Sequence, residues 1–294
     1  MLRERVIGMP EVAAAPPVIV VPCYNEAQRL EPTRFVRLVD DGGIHLVFVD
    51  DGSTDVTPKL LTDLCGKSSC IDMVTLARNS GKAEAVRQGL LRGIEAGAAV
   101  VGYYDADMAT PPRELLRLVS VLESDPSLAC VMGARVMHLG SRIERSRVRH
   151  YLGRVYATLA SWALDLPVYD TQCGAKVFRV NETLRAALVQ PFRTRLSFDV
   201  DLLNRLLTGV SGAPALDESQ IVEVPLHAWR HVRGSTLRIG DALAAFADLY
   251  VIGRENRRRR RQHDDDRRSR PDRWVSRPGL GDPDEGAARR ETRA

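Results

Sequence analysis

Four times within its first 112 residues, this chain runs through a short stretch of β-branched and aromatic residues, stops on a polar cluster, and continues into a segment of helical length. "PPVIVVP" leads into "CYNEA", "IHLVFVDD" into "GSTD", "CIDMVTLAR" into "NSGK", and "AAVVGYY" into "DAD". Apolar runs this short, bounded by turn residues, fit strands buried on both faces. Strands alternating with helices join through right-handed crossovers into a parallel sheet, which collects its ligands at the carboxyl ends of its strands. The fold class read here is therefore α/β, a central and mostly parallel sheet flanked by helices. All four polar clusters fall at the expected ligand-binding edge. Further strands are expected at "LACVMGAR", "GAKVFRV" and "QIVEVPLHAW", and helices over 25–40, 55–65, 145–164, 182–189, 198–208 and from Leu237 to Gly253.

The last of the four clusters, "YYDADMATPP", aims Asp105 and Asp107 at one place. Neighbouring carboxylates repel each other unless a cation or a shared proton relieves them. They suit a hard divalent cation, Mg²⁺ or Mn²⁺, bound together with substrate phosphates, or else form a solvated acidic turn. The following helix is expected to start at Pro111 or Pro112 with Thr110 as N-cap, so neither aspartate is needed there. Asp50 and Asp51 end the second strand, where a carboxylate can accept hydrogen bonds from a base or ribose. Ser53 or Thr54 is expected to cap the next helix, with Asp55 structural. "NSGKAEAVRQG" combines a glycine turn, a helix N-terminus and Lys82, all suited to anions. It is no Walker loop, because the upstream glycine and the Ser or Thr after the lysine are missing.

With 294 residues, 44% of them apolar, the chain can build a substantial core. It holds no apolar run of membrane-spanning length and no signal-peptide core, so a cytoplasmic protein, peripheral at the inner face of the cell membrane, is expected. Five scattered cysteines (Cys23, Cys65, Cys70, Cys130, Cys173) form no CxxC pair and read as small buried hydrophobes. The net charge of +4 is a property of the end of the chain, where 14 arginines face 9 acidic residues from Arg254 onward. Residues 257–294 are poor in apolar side chains and expected to be disordered. Their five consecutive arginines, Arg257 to Arg261, follow a helix whose Phe246, Leu249, Tyr250 and Ile252 either rest at a lipid interface or belong to the core. An anionic membrane surface is the expected partner of this tail, and nucleic acid is not.

The motifs "VVPCYNEAQRL", "VFVDDGSTDVT", "NSGKAEAVRQG" and "YYDADMATPP" resemble, in this order, glycosyltransferase family 2, the inverting nucleotide-sugar-dependent enzymes of the GT-A nucleotide-diphospho-sugar transferase fold. The resemblance implies that Pro22, Tyr24, Glu26, Asp50 and Asp51 surround the nucleoside, with Lys82 near the phosphates. It also implies that Asp105 and Asp107 form the DXD motif that holds the metal, with Asp107 central to catalysis. "GARVMHLGSRIERSRVRHYL", "YDTQCGAKVFR", "LSFDVDLL" and "VEVPLHAWRHVRGSTL" are similar to segments of dolichyl-phosphate β-glucosyltransferases and, more loosely, polyprenyl-phosphate mannose synthases. This implies a donor such as UDP-glucose, a polyprenyl phosphate acceptor, and Asp170, Gln172 and Lys176 beside the sugar or phosphates. Gly174 and Lys176 also read as a tight turn and a solvated strand residue. Arg135, Arg145 and Arg149 are candidates for the lipid phosphate, or a solvated basic helix face. Asp199 and Asp201 are candidate bases for a hydroxyl acceptor, or acidic residues favoured in a first helical turn. Here the family's frequent Gly-Gly after the lysine is Ala83-Glu84, and its usual FDVEL is "FDVDL". The expected organisation is an N-terminal extension over 1–17, a transferase domain over 18–253 (nucleotide-binding half 18–135, acceptor half 136–253) and the tail over 254–294.

Overall fold

The computed structural model describes residues 15–144, 147–210, 212–232 and 239–269. Chain order is β1 (Val18–Cys23), α1 (Pro32–Gly42), β2 (His45–Asp50), α2 (Thr57–Cys65), β3 (Ile71–Thr75), α3 (Lys82–Glu95), β4 (Val100–Tyr104), α4 (Pro112–Ser124), β5 (Cys130–Ala134) and β6 (Arg142–Ile143). There follow α5 (Arg147–Leu164), β7 (Ala175–Arg179), α6 (Glu182–Val189), α7 (Phe198–Thr208), β8 (Ile221–Pro225), β9 (Ala228–Trp229) and α8 (Ile239–Ser269). One seven-stranded sheet has the order β3-β2-β1-β4-β7-β5-β8. It is parallel except for β7, which runs antiparallel to both neighbours. The two halves read from the sequence share this sheet, since β7 of the second lies between β4 and β5 of the first.

The inner strands are buried almost throughout and send alternate side chains into two core layers, as a sheet covered on both faces requires. In β1, Val18 and Val20 enter the core layer beneath α3, while Ile19, Val21 and Cys23 enter the opposite one. Tight packing of α3 depends on Gly89, where a Cβ would lie 2.2 Å from Cγ1 of Val20. After β3 the chain returns to the other side of β1 to lay down β4, so the order reverses between β1 and β4. Ligands of open α/β sheets bind outside the strand ends at such a reversal. "CYNEA" and "DAD" flank that crevice.

Several local expectations are corrected. The first helix starts at Pro32, not at residue 25: Asn25 is left-handed (φ 53°), and the amides of Asn25, Glu26 and Ala27 bond to side chains of the next loop. Neither Ser53 nor Thr54 caps α2, which begins at Thr57 with Val56 at the cap position; Asp55 braces the turn by accepting from the Thr57 and Ala27 amides. Thr110 does not cap α4 either; Pro111 takes the cap position and Thr110 gives its carbonyl to the Tyr104 hydroxyl. "QIVEVPLHAW" breaks after Pro225, and its end forms β9, paired with β6 in a separate two-stranded sheet.

The largest correction is α8, which continues to Ser269 where disorder was expected from residue 257. A polar composition cannot nucleate a fold, but it can extend a helix already docked by its first half. Leu249 and Ile252 are core, Tyr250 is exposed, and Gly253 and Asn256 pack on Ala163 of α5. Arg259 then pairs with Glu255 one turn back and donates to the Gly209 carbonyl. Residues 270–294 lie outside the described residues, as do 1–14. Among the described residues, no helix is long and apolar enough to cross a membrane.

Gly89→Ala is expected to lower stability by about 1–3 kcal/mol through overpacking against Val20 and Val49. A thermal melt indistinguishable from wild type would contradict this account of how α3 meets the sheet.

Candidate active site

The loops at the carboxyl edge hold one another before any ligand arrives. Asn25 accepts from the Thr54 amide at 2.8 Å, and its own amide donates to the Ser53 hydroxyl at 3.0 Å. Asp50 accepts from the Ser53 amide. Asp51 is almost fully buried and accepts from the Ser80 and Gly81 amides at 2.6 and 2.7 Å. Burial pushes its carboxyl up, against the lowering effect of those amides. Asp51 is thus the staple that fixes the turn in front of α3, rather than a group open to a nucleoside. Glu26 pairs with Arg29. Its carboxyl is raised, first by burial and further by Asp105 and Asp107, so it faces the same crevice as the DXD pair. Pro22 is the next-to-last residue of β1, and Tyr24, just beyond the strand, presents an exposed ring.

Asp105 and Asp107 stand at the end of β4 on a turn in which Met108 is left-handed (φ 48°). Asp105 meets Lys82 at 2.5 Å. Burial alone would lower the Lys82 ammonium, but Asp105 and Asp199 outweigh it and raise it. Asp107 accepts from the Ala109 amide, and its carboxyl is raised by burial and then by the charge of Asp105. A second carboxylate held against its inclination beside the first is a pair that a cation relieves. Among the described residues no group of three or more His, Cys, Asp or Glu could hold a metal alone. Two carboxylate donors therefore fit Mg²⁺ or Mn²⁺ shared with phosphate oxygens and water rather than caged by protein.

Gly174 is neither a tight-turn glycine nor incidental. A Cβ there would fall 1.8 Å from Oδ2 of Asp105, whose amide donates to the Gly174 carbonyl at 2.9 Å. The glycine of "QCGAK" exists so that the Asp105 carboxylate can lie against β7.

Lys176 is not a solvated strand residue. It is 1% exposed, and its ammonium donates to Asp199 (2.7 Å), the Tyr103 hydroxyl (2.7 Å) and the Cys173 carbonyl (2.8 Å). The register of the sheet sets Tyr103 directly opposite it. Asp199 also accepts from Tyr103, whose hydroxyl is raised well above its ordinary value by burial and by Asp199. Asp201 belongs to a second buried pair: it accepts from Arg205 and from the Arg193 amide. Arg135 is locked bidentately on Asp170 at 2.6 and 2.8 Å and lies over the Trp229 ring, so it is not a free phosphate ligand. Glu223 in turn accepts the Tyr169 and Asp170 amides. Gln172 donates to the Leu196 carbonyl. Arg145 lies outside the described residues, as does the side chain of Arg149. Tyr103 and Glu223, which lie inside segments that carry the family resemblance, and Arg195 belong to the site region although none was a candidate site residue in the sequence. Lys176 came forward in the sequence through that resemblance, which implied a place beside the sugar or phosphates.

Gly174→Ala is expected to displace Asp105 and cut transfer about 100-fold, the usual cost of a misplacement near 1 Å. A folded variant with full kcat would remove the close contact from the account. Asp107→Asn should abolish most turnover yet raise the melting temperature of the ligand-free protein at neutral pH. Because the native carboxyl titrates above its unfolded value, its penalty is absent at low pH and grows as pH rises through the native range. The gain should therefore vanish on acidification, and added Mn²⁺ should stabilise wild type but not the variant. Equal stabilisation of both proteins by Mn²⁺ would exclude Asp107 as a ligand.

The sequence model described as Glycosyl transferase family 2 matches residues 18–183. The dolichyl-phosphate β-glucosyltransferase of Saccharomyces cerevisiae is 26% identical over 264 residues, covering 80% of this chain and 73% of that protein. Its human counterpart is 32% identical over 203 residues, 63% of this chain and 61% of the relative. The polyprenol monophosphomannose synthase of Mycolicibacterium smegmatis is 24% identical over 212 residues, covering 71% and 76%. Among solved structures, glucosyl-3-phosphoglycerate synthase from Mycobacterium tuberculosis, crystallised with Mn²⁺ and UDP-glucose, superimposes with a TM-score of 0.61 at 19% identity, covering 83% of this chain and 79% of that one. That likeness establishes a fold of the GT-A type. With a matched segment spanning more than half of its length, and a fold and strand-end motifs in agreement with it, this chain belongs to glycosyltransferase family 2.

Proposed function

We propose that this glycosyltransferase moves glucose from UDP-glucose to a polyprenyl phosphate with inversion, giving a β-linked glycosyl phosphate. The observation that carries the phosphate acceptor is the state of the two carboxylates nearest to serving as a base. Asp199 is held by buried Lys176 and Tyr103, and Asp201 by Arg205. A sugar hydroxyl needs a carboxylate within hydrogen-bond reach and at liberty to take its proton. A phosphate monoester, with a second pKa near 6, is already substantially dianionic at neutral pH and needs none. The dolichyl-phosphate β-glucosyltransferase relatives favour the same acceptor class and the glucosyl donor.

Within this mechanism the chain's own groups do distinct work. Tyr24 and Pro22 border the nucleoside crevice, with Asp50 and Asp51 bracing its floor. Asp105 and Asp107 would hold the divalent cation, which when bound would neutralise the charge of the departing diphosphate. Lys82, 2.5 Å from Asp105, is placed to turn its ammonium toward a phosphate oxygen.

A lipid-linked acceptor also agrees with an exposed face. On α5, Tyr151, Leu152, Val155 and Trp162 face solvent, Trp162 at 83% exposure. Beside it on α8, Tyr250 and Val251 are exposed, followed by exposed Arg254, Arg257 and Arg258. Both helices pack on α7 and on each other. Apolar and aromatic side chains edged by arginine suit the interface of an anionic membrane, each cation contributing about 1 kcal/mol near the surface.

The test is transfer from labelled UDP-glucose and GDP-mannose to a short prenyl phosphate and to soluble hydroxyl acceptors, with products partitioned between butanol and water. Glucose recovered in the butanol phase as acid-labile glycosyl phosphate is expected, with binding to anionic vesicles weakened by Trp162→Ala or by Arg254→Gln/Arg257→Gln/Arg258→Gln. Product on hydroxyl acceptors alone, with a folded Asp199→Asn enzyme that binds both substrates but transfers nothing, would replace this reading with general-base catalysis.

A further inference from the structure

The N-terminus of α3 has a second use besides aiming Lys82. On it opens a cavity of about 340 Å³, walled by Ser80, Ala83 and Glu84 on one side and Phe192, Thr194 and Arg195 on the other. Four independent features of this cavity point to a bound anion. First, α3 starts after Gly81 (φ 94°) without a side-chain cap. Asp51 takes the Ser80 and Gly81 amides, while those of Lys82 and Ala83 have no acceptor among the described residues. The positive end of a 14-residue helix is thus left open, which favours negative charge.

Second, the Arg195 guanidinium lies on that turn, with Nε and Nη2 each 3.0 Å from where a Cβ on Gly81 would stand. Arg195 makes no ion pair among the described residues. Asp51 is the carboxylate that feels its charge, and both oxygens of Asp51 already accept amides. Third, Thr194 is 3% exposed and its hydroxyl has no hydrogen-bond partner. A buried polar group without a partner is destabilising, a defect that a ligand oxygen would cure. Fourth, the one acidic wall residue is neutralised, because Glu84 is paired bidentately with Arg87 and also accepts from Gln88.

We infer that this cavity, formed by the α3 N-terminus, Arg195 and Thr194, is a phosphate-binding subsite taking a phosphate dianion. Arg195 supplies a planar fork, the Lys82 and Ala83 amides supply donors, and the Thr194 hydroxyl closes the set. Phe192 and Ala83 leave an apolar wall for whatever the phosphate carries. Arg135, the described candidate from the sequence for this task, is committed to Asp170. The same turn places Lys82 on Asp105 and Gly81 under Arg195, so phosphate in the subsite is mechanically linked to the DXD end of the crevice. Two sources offer this chemistry, the acceptor's phosphate and the donor's diphosphate.

The experiment titrates inorganic phosphate into the full-length protein, read by calorimetry, for wild type, Arg195→Gln, Thr194→Val and the control Arg193→Gln. Millimolar binding by wild type is expected, weakened about tenfold or more in Arg195→Gln, severalfold in the isosteric Thr194→Val, and unchanged in the control. The source is then read from steady-state constants. A raised acceptor KM with donor KM unchanged assigns the subsite to the acceptor, and the converse to the donor. Phosphate binding that is absent in wild type, or equal in all four proteins, overturns the inference. Because the titration uses phosphate alone, it stands or falls whichever acceptor the enzyme proves to use.

Discussion

Beneath the catalytic edge, one buried ammonium organises the sheet and the helix behind it. Lys176, on the antiparallel strand β7, reaches Asp199 in α7 and Tyr103 in β4, joining three elements distant in sequence. A buried charge pair is no bargain in itself, since desolvation offsets much of its attraction. Removing either partner, however, strands a charge in the core at a cost of about 3–5 kcal/mol. The pairing therefore specifies where β7 sits more than it adds to stability. It is this placement that brings Gly174, two residues before Lys176, against the carboxylate of Asp105.

The same logic of prior commitment runs through the whole carboxyl edge. Asp51 is engaged by two amides, Asp201 by Arg205, Asp170 by Arg135, and Glu223 by the amides of the Tyr169–Asp170 turn. Each interaction fixes a loop so that the edge is preorganised before substrate binds. Against this background Asp107 differs: it is raised by burial and by its neighbour, and among the described residues its hydrogen-bond partner is the Ala109 amide alone. The carboxylates that stabilise the fold and the pair suited to a cation are thus separated by their partners.

The C-terminal helix shows why composition alone misjudged the tail. Its first half is anchored by Leu249, Ile252 and Asn256 on α5 and α7, and a helix so anchored propagates through arginines of good intrinsic propensity. The exposed aromatic and basic surface formed by α5 and α8 arises only because the two helices lie side by side. Neither segment read alone distinguishes outward Tyr250 from inward Leu249, which are adjacent in the chain.

By itself the sequence determined the α/β class, the order of strands and helices through α4, and the clustering of Tyr24, Glu26, Asp105 and Asp107 at one edge. Those features are encoded locally, in apolar runs of strand length and in the polar residues that end them, and a parallel sheet converts them into a site by rule. What the sequence left open was the partner of each charge. Whether Lys176 faces solvent or Asp199, whether Arg135 is free or held by Asp170, and whether Asp199 is a base or half of an ion pair all depend on contacts across 23 to 73 residues. No local pattern carries that information, because a charged side chain has the same sequence signature in water as in a buried pair. Only the tertiary structure, by setting β7 antiparallel between β4 and β5, decided which charges were neutralised in the core and which were left facing the crevice.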